Sequence, residues 1–88
     1  MEYYTLIGES KKLNSPDVEF STKYTELDDA RRKAISILDS QRYHGQFFAI
    51  SLFKDGRYKG MVEKSKRGFR YLYQYRSVAI NRYGEDKD

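Results

Sequence analysis

From Val18 to Tyr24 the chain alternates. Val18, Phe20, Thr22 and Tyr24 fall on one side, and Glu19, Ser21 and Lys23 on the other. A period of two marks a half-buried strand. A shorter β-favouring run, Tyr3 to Gly8, precedes it across a loop, Ser10 to Asp17, that holds the single proline, so the two runs predict an antiparallel pair. The period then changes. Leu27, Ala30, Ala34, Ile37 and Leu38 recur at helical spacing, with Asp29, Arg32, Lys33 and Ser36 mostly opposite and Ile35 at the flank. This predicts a helix within Thr25 to Tyr43 that buries one face. Thr25 and Asp28 have the form of a capping box with Asp in place of Glu, and Glu26, Asp28 and Asp29 put negative charge where the helix dipole favours it. His44-Gly45 has the form of a glycine C-cap.

Three further β-type runs follow, joined by two short turns. Asp55-Gly56 predicts a two-residue hairpin, because a type I′ turn needs positive φ at both central residues. That register sets Lys54 opposite Arg57, Phe53 opposite Tyr58, Ile50 opposite Met61 and Ala49 opposite Val62. Phe48, Ile50, Leu52 and Met61 make the better core set. Lys66-Arg67-Gly68 is the next turn. In the run from Phe69 to Arg76, alternation places Phe69, Tyr71, Tyr73 and Tyr75 on one face and Arg70, Gln74 and Arg76 on the other; Val78 and Ile80 extend the strand past a bulge or bend. The fold class expected is α+β: a single small domain over residues 1–83, with a mostly antiparallel sheet of about five strands (β-β-α-β-β-β) and one helix packed on one face. Residues 84–88 are expected to be a short disordered acidic tail.

With 88 residues there is room for one hydrophobic core. Nine Tyr and five Phe supply apolar area that a chain of this size otherwise lacks. Cysteine is absent, so no disulfide or thiolate metal site braces the fold. The start of the chain lacks the pattern of a signal peptide and no run has the length of a membrane span, which predicts a soluble, cytoplasmic protein. Charge is uneven. Residues 1–40 carry six Lys and Arg against eight Asp and Glu, whereas residues 41–88 carry eleven against five. The net charge of +4 therefore resides in the C-terminal sheet.

Catalytic signals are missing. One histidine and no cysteine leave no Cys–His pair, and no HExxH, GxSxG, P-loop or GxGxxG pattern is present. Asp28 and Asp29 read as helix N-terminal charges, and His44 as an exposed residue at a helix end. The expectation is a protein that is not an enzyme and that takes no cofactor and no metal.

Basic residues interleaved with aromatics are the remaining signal. Lys54, Arg57, Lys59, Lys64, Lys66, Arg67, Arg70 and Arg76 accompany Tyr58, Phe69, Tyr71, Tyr73 and Tyr75. Cations of this density suit phosphate contacts and exposed rings suit base stacking, although edge lysines also guard sheets against aggregation. The candidate partner-binding residues are Lys54, Arg57, Lys59, Lys64, Lys66, Arg67, Arg70, Tyr71, Tyr73 and Arg76, and the partner is nucleic acid or an acidic protein surface. The run from Phe48 to Tyr75, a strand, a DG turn, a basic strand, Ser65-Lys66-Arg67-Gly68-Phe69 and an aromatic strand, resembles the three-stranded sheet of arm-type DNA-binding domains in tyrosine recombinases. Those domains place their helix after the third strand, whereas the helix here precedes the first. The resemblance implies DNA binding and assigns no site residue. A second class is a protein-binding module, such as a small accessory or inhibitory protein of a phage or other mobile element, with a homodimer as one form of it.

Overall fold

The computed structural model describes residues 2–87. Its elements are β1 (Tyr4–Ser10), β2 (Val18–Ser21), α1 (Leu27–Leu38), a 3-10 turn (Gln41–Tyr43), β3 (Phe47–Lys54), β4 (Arg57–Ser65), β5 (Gly68–Tyr73) and β6 (Arg76–Ile80). All six strands form one antiparallel sheet in the order β2-β1-β3-β4-β5-β6, and α1 packs on one side of it, chiefly across β1, β3 and β4. The protein is an α+β single domain.

The strands carry their large apolar residues to the helix side. Leu6 pairs with Leu52, Ile50 with Val62, Val62 with Tyr71, and Phe69 with Ile80. These residues and the buried helix residues Ala30, Ala34, Ile35 and Ile37 make the core. Phe20, Tyr43 and Phe47 close its lower corner with edge-on and tilted ring contacts at 5.4–6.0 Å, a spacing aromatic quadrupoles favour.

The structure departs from the sequence pattern at several places. The expected strand from Phe69 to Arg76 is two strands, because Gln74 adopts φ 57° and the chain turns back between Tyr73 and Arg76. The sheet therefore has six strands rather than five, and Val78 and Ile80 lie beside β5 instead of prolonging it. Tyr75, expected on the face with Tyr71 and Tyr73, sits fully exposed in that turn. The Asp55-Gly56 turn forms with φ of 53° and 71°, as a type I′ turn requires, and Lys54 and Phe53 meet Arg57 and Tyr58 as expected. Beyond them the register slips by one, so that Ile50 meets Val62 and Ala49 meets Glu63. Gly60, at φ 107°, absorbs the extra residue. A second shift leaves Phe48 between the pairs Glu9–Ala49 and Ser10–Phe47. Phe47 is buried in consequence, and Phe48, expected in the core, is 53% exposed.

α1 begins at Leu27 after Glu26, with no side-chain cap, so the Thr25–Asp28 box does not form. Lys54 takes the Thr25 carbonyl instead, at 2.9 Å. The helix ends at Leu38; Ser40 Oγ then accepts from Arg42 N to start the 3-10 turn, and Gly45 follows with φ 71°. Ile35, expected at the flank, is buried together with Arg31, while Leu27 and Leu38 are half-buried. Arg31 is covered by residues 84–87. These residues, expected to be disordered, fold back on the domain: Lys87 N donates to the Ala79 carbonyl, and Arg31 Nη1 donates to Gly84 O and Asp86 Oδ1. They cover a helix face that the sheet does not reach.

Candidate nucleic-acid interface

Because adjacent strands run in opposite directions, successive turns alternate between the two ends of the sheet. This divides the residues that the sequence grouped together. Lys54, Arg57, Lys59 and Arg76 lie at the end that carries the Asp55-Gly56 and Gln74-Tyr75 turns. Lys64, Lys66 and Arg67 lie at the opposite end, around the β4–β5 turn. Arg70 belongs to neither; its register with Glu63 and Ala79 places it on the sheet face away from α1.

Several of these side chains are already engaged. Lys54 lies over the Tyr4 ring at 5.3 Å as well as holding the Thr25 carbonyl. Arg70 donates to Ser77 Oγ at 2.8 Å and to its carbonyl at 3.0 Å. Tyr71 is buried, its ring stacked under the Arg31 guanidinium at 3.9 Å and its hydroxyl donating to the Lys59 carbonyl. Burial pushes that hydroxyl's pKa up. Tyr71 therefore cannot stack on a base and leaves the candidate set, and Tyr73, half-buried beside it, offers only part of its ring.

The β4–β5 end holds more cations than the sequence revealed. Lys11 and Lys12 leave β1 there, and Arg82 and Lys87 flank the end of β6. Lys11, His44, Lys64 and Phe48 border one shallow depression; Arg67, Arg82 and Lys87 border another. From β1 to β6 the row crosses four strand spacings, roughly 20 Å. Asp39, at the C-cap of α1, organises its middle by accepting from Lys64 Nζ at 3.2 Å and Arg82 Nη1 at 3.0 Å. Those two bonds hold the Asp39 carboxyl below the usual carboxylate range. Lys11, Lys12, Lys66, Arg67 and Lys87 are exposed and form no ion pair among the described residues. Phe48, exposed, borders the depression beside Lys11 and Lys64, and the exposed ring of Tyr83 follows Arg82 in the chain.

The open sheet face has a different character. Ile7, Phe53, Met61 and Leu72 are half-buried on it, with Glu9, Glu63 and Arg70 among them. Desolvation, and then the neighbouring Asp17 carboxyl, push the Glu9 pKa up. An acid whose pKa is raised on folding binds its proton more firmly in the folded state, so the stability it contributes is present at low pH and falls as pH rises through the raised value. Glu9→Gln should flatten that decline. Urea melts of both proteins from pH ~4 to ~7 check it, and identical pH slopes would exclude the effect.

Among the described residues no three His, Asp or Glu side chains gather as metal ligands, and no helix is long and apolar enough to cross a membrane. No family model, curated protein or solved structure matches the chain, so neither the likeness to recombinase arm domains nor any other kinship is supported by comparison.

Proposed function

We propose that this protein is a non-catalytic binding module that contacts nucleic acid through the basic end of its sheet. The observation that carries this reading is the row of cations from Lys11 and Lys12 through Lys66 and Arg67 to Lys87, drawn together from three separate stretches of chain. Five cations that form no ion pair among the described residues and are spread over such a length suit a phosphate backbone better than a single bound anion. Phe48 and Tyr83 offer ring faces to unstacked bases, which favours a single strand. A cytoplasmic setting accords with this reading and with the absence of cysteine.

Titration of the purified protein with labelled single- and double-stranded DNA and RNA at several salt concentrations is the test. Neutralised phosphates release counterions, so log affinity should fall linearly with log salt, by ~0.7 per contact for a single strand and ~0.9 for a duplex. With five contacts the slope approaches about 3.5 or 4.5 respectively. No detectable binding at low salt removes the reading.

A second reading, an accessory or inhibitory protein that docks on another protein or on a second copy, draws on the open face. Ile7, Phe53, Met61 and Leu72 form its apolar part, with Glu9, Glu63 and Arg70 beside them, a mixture that suits a protein contact. Sedimentation of the pure protein across a concentration series checks the homodimer form; a single monomeric species throughout would remove it.

A further inference from the structure

The β5–β6 hairpin projects beyond the strands that α1 covers, and between helix and hairpin lies a cleft of about 340 Å³. Arg31 comes to it from the helix, Tyr71, Tyr73, Arg76 and Val78 from the hairpin strands, Gln74 from the turn, and Asp86 from the C-terminal segment. Its volume suits a small organic molecule. The cleft lies toward the Gln74-Tyr75 end of the sheet, and Asp86 on its wall adjoins Lys87 of the basic row.

Two features of its wall point to an anion, its guanidinium groups and the turn at Gln74. Arg31 has a side chain only 8% exposed, and its Nη1 donates to Asp86 Oδ1 at 2.9 Å and Gly84 O at 3.2 Å. Its Nε is buried with no acceptor among the described residues, but it has no accessible surface and is not presented to the cleft. Arg31 is balanced by Asp86 and, at 3.8 Å, by Asp28, whereas Arg76 adds a second guanidinium that forms no ion pair among the described residues and so carries the unpaired positive charge of the cleft. Gln74, at the turn, holds φ 57° while Tyr75 is not in the positive region. That is the pattern of a type II′ turn, whose first central position normally belongs to glycine. A long amide side chain kept there at the cost of backbone strain is the kind of outlier that gathers at ligand sites.

We propose that the cleft binds a small molecule that carries a carboxylate or phosphate group on an apolar body. The oxyanion lies between Arg31 and Arg76 and accepts from the Gln74 amide; the body lies against Tyr73 and Val78. Tyr71 is a positioning residue, because its ring supports the Arg31 guanidinium.

NMR titration of the isotopically labelled protein with phenyl phosphate, benzoate and inorganic phosphate at low salt tests the site. Phenyl phosphate or benzoate should give saturable shifts centred on residues 74–78, and the tighter of the two names the headgroup. Inorganic phosphate, lacking the body, should bind roughly tenfold more weakly. Arg76→Ala should cost roughly tenfold in affinity, the loss of a charge-assisted contact, with the melting temperature unchanged. Gln74→Gly should weaken binding while raising the melting temperature, since it removes the strain together with the amide. Absence of saturable shifts at the hairpin, shifts confined to Lys66 and Arg67, or unchanged affinity in both variants would overturn the assignment. Inorganic phosphate binding as tightly as phenyl phosphate would overturn it too.

Discussion

Leu52→Ala should cost ~2–5 kcal/mol, the range for truncating a fully buried leucine. Leu52 has no exposed surface, pairs with Leu6 on β1 and is part of the core beneath α1. Rigid strands on both sides limit how far the hole left behind can collapse, and the cavity adds to the lost transfer energy. In a domain of this size each 1 kcal/mol lowers the melting temperature by roughly 4–8 °C, so a drop of roughly 8 °C or more is expected. Leu13→Ala, at a fully exposed leucine, should change little. Equal melting temperatures for Leu52→Ala and the parent would show that this side of the sheet is not the core.

Gly60→Ala should destabilise through the backbone. At φ 107° an L-residue is strained wherever it sits, at ~1–3 kcal/mol. A Cβ there would also lie 2.6 Å from the Tyr71 hydroxyl oxygen and 2.7 Å from the Leu72 carbonyl oxygen. The first contact is with the end of a side chain locked by its hydrogen bond to Lys59 O, and the second is with strand backbone, so neither gives way freely. Relief requires the bulge to straighten, and straightening would shift the β3–β4 register by one residue and turn Val62 out of the core. Chemical denaturation should therefore show a loss at least as large as the strain alone. A parent-like midpoint would mean that the bulge tolerates a side chain.

The contrast between these glycines and the rest of the hairpins shows what local sequence can and cannot carry. Asp55-Gly56 announces its turn because the residue types match the φ values the turn needs. Gln74-Tyr75 makes an equally tight turn with no such announcement, since glutamine at positive φ has no sequence signature, and so β5 and β6 read as one strand. Gly60 was legible in principle: a glycine inside a strand pattern often marks a bulge. The buried side of the helix is harder. Arg31 looks like a solvent-facing cation, and its burial depends on Gly84 and Asp86, 53 and 55 residues later in the chain.

The cations illustrate the same limit at the level of the site. Lys54 through Arg76 are neighbours in sequence, yet an antiparallel meander sends alternate turns to opposite ends and separates Lys66 and Arg67 from Arg57, Lys59 and Arg76. Lys11, Lys12 and Lys87 join Lys66 and Arg67 only because strand order sets the end of β1 and the segment after β6 at the same end as the β4–β5 turn. Strand order is a long-range property, and no local pattern encodes it.

The direct measurement is a comparison of two charge-removal variants in the same nucleic-acid titration. One replaces Lys11, Lys12, Lys66 and Arg67 by Ala; the other replaces Arg57, Lys59 and Arg76 at the opposite end. All seven side chains lie outside the core, so both variants should fold, and circular dichroism melts confirm it. The first should lose most of its affinity at low salt and lower the salt slope by ~0.7–0.9 for each cation removed, whereas the second should bind nearly as the parent does. Equal losses in both variants, or a larger loss in the second, would contradict the assignment of the β4–β5 end as the nucleic-acid surface.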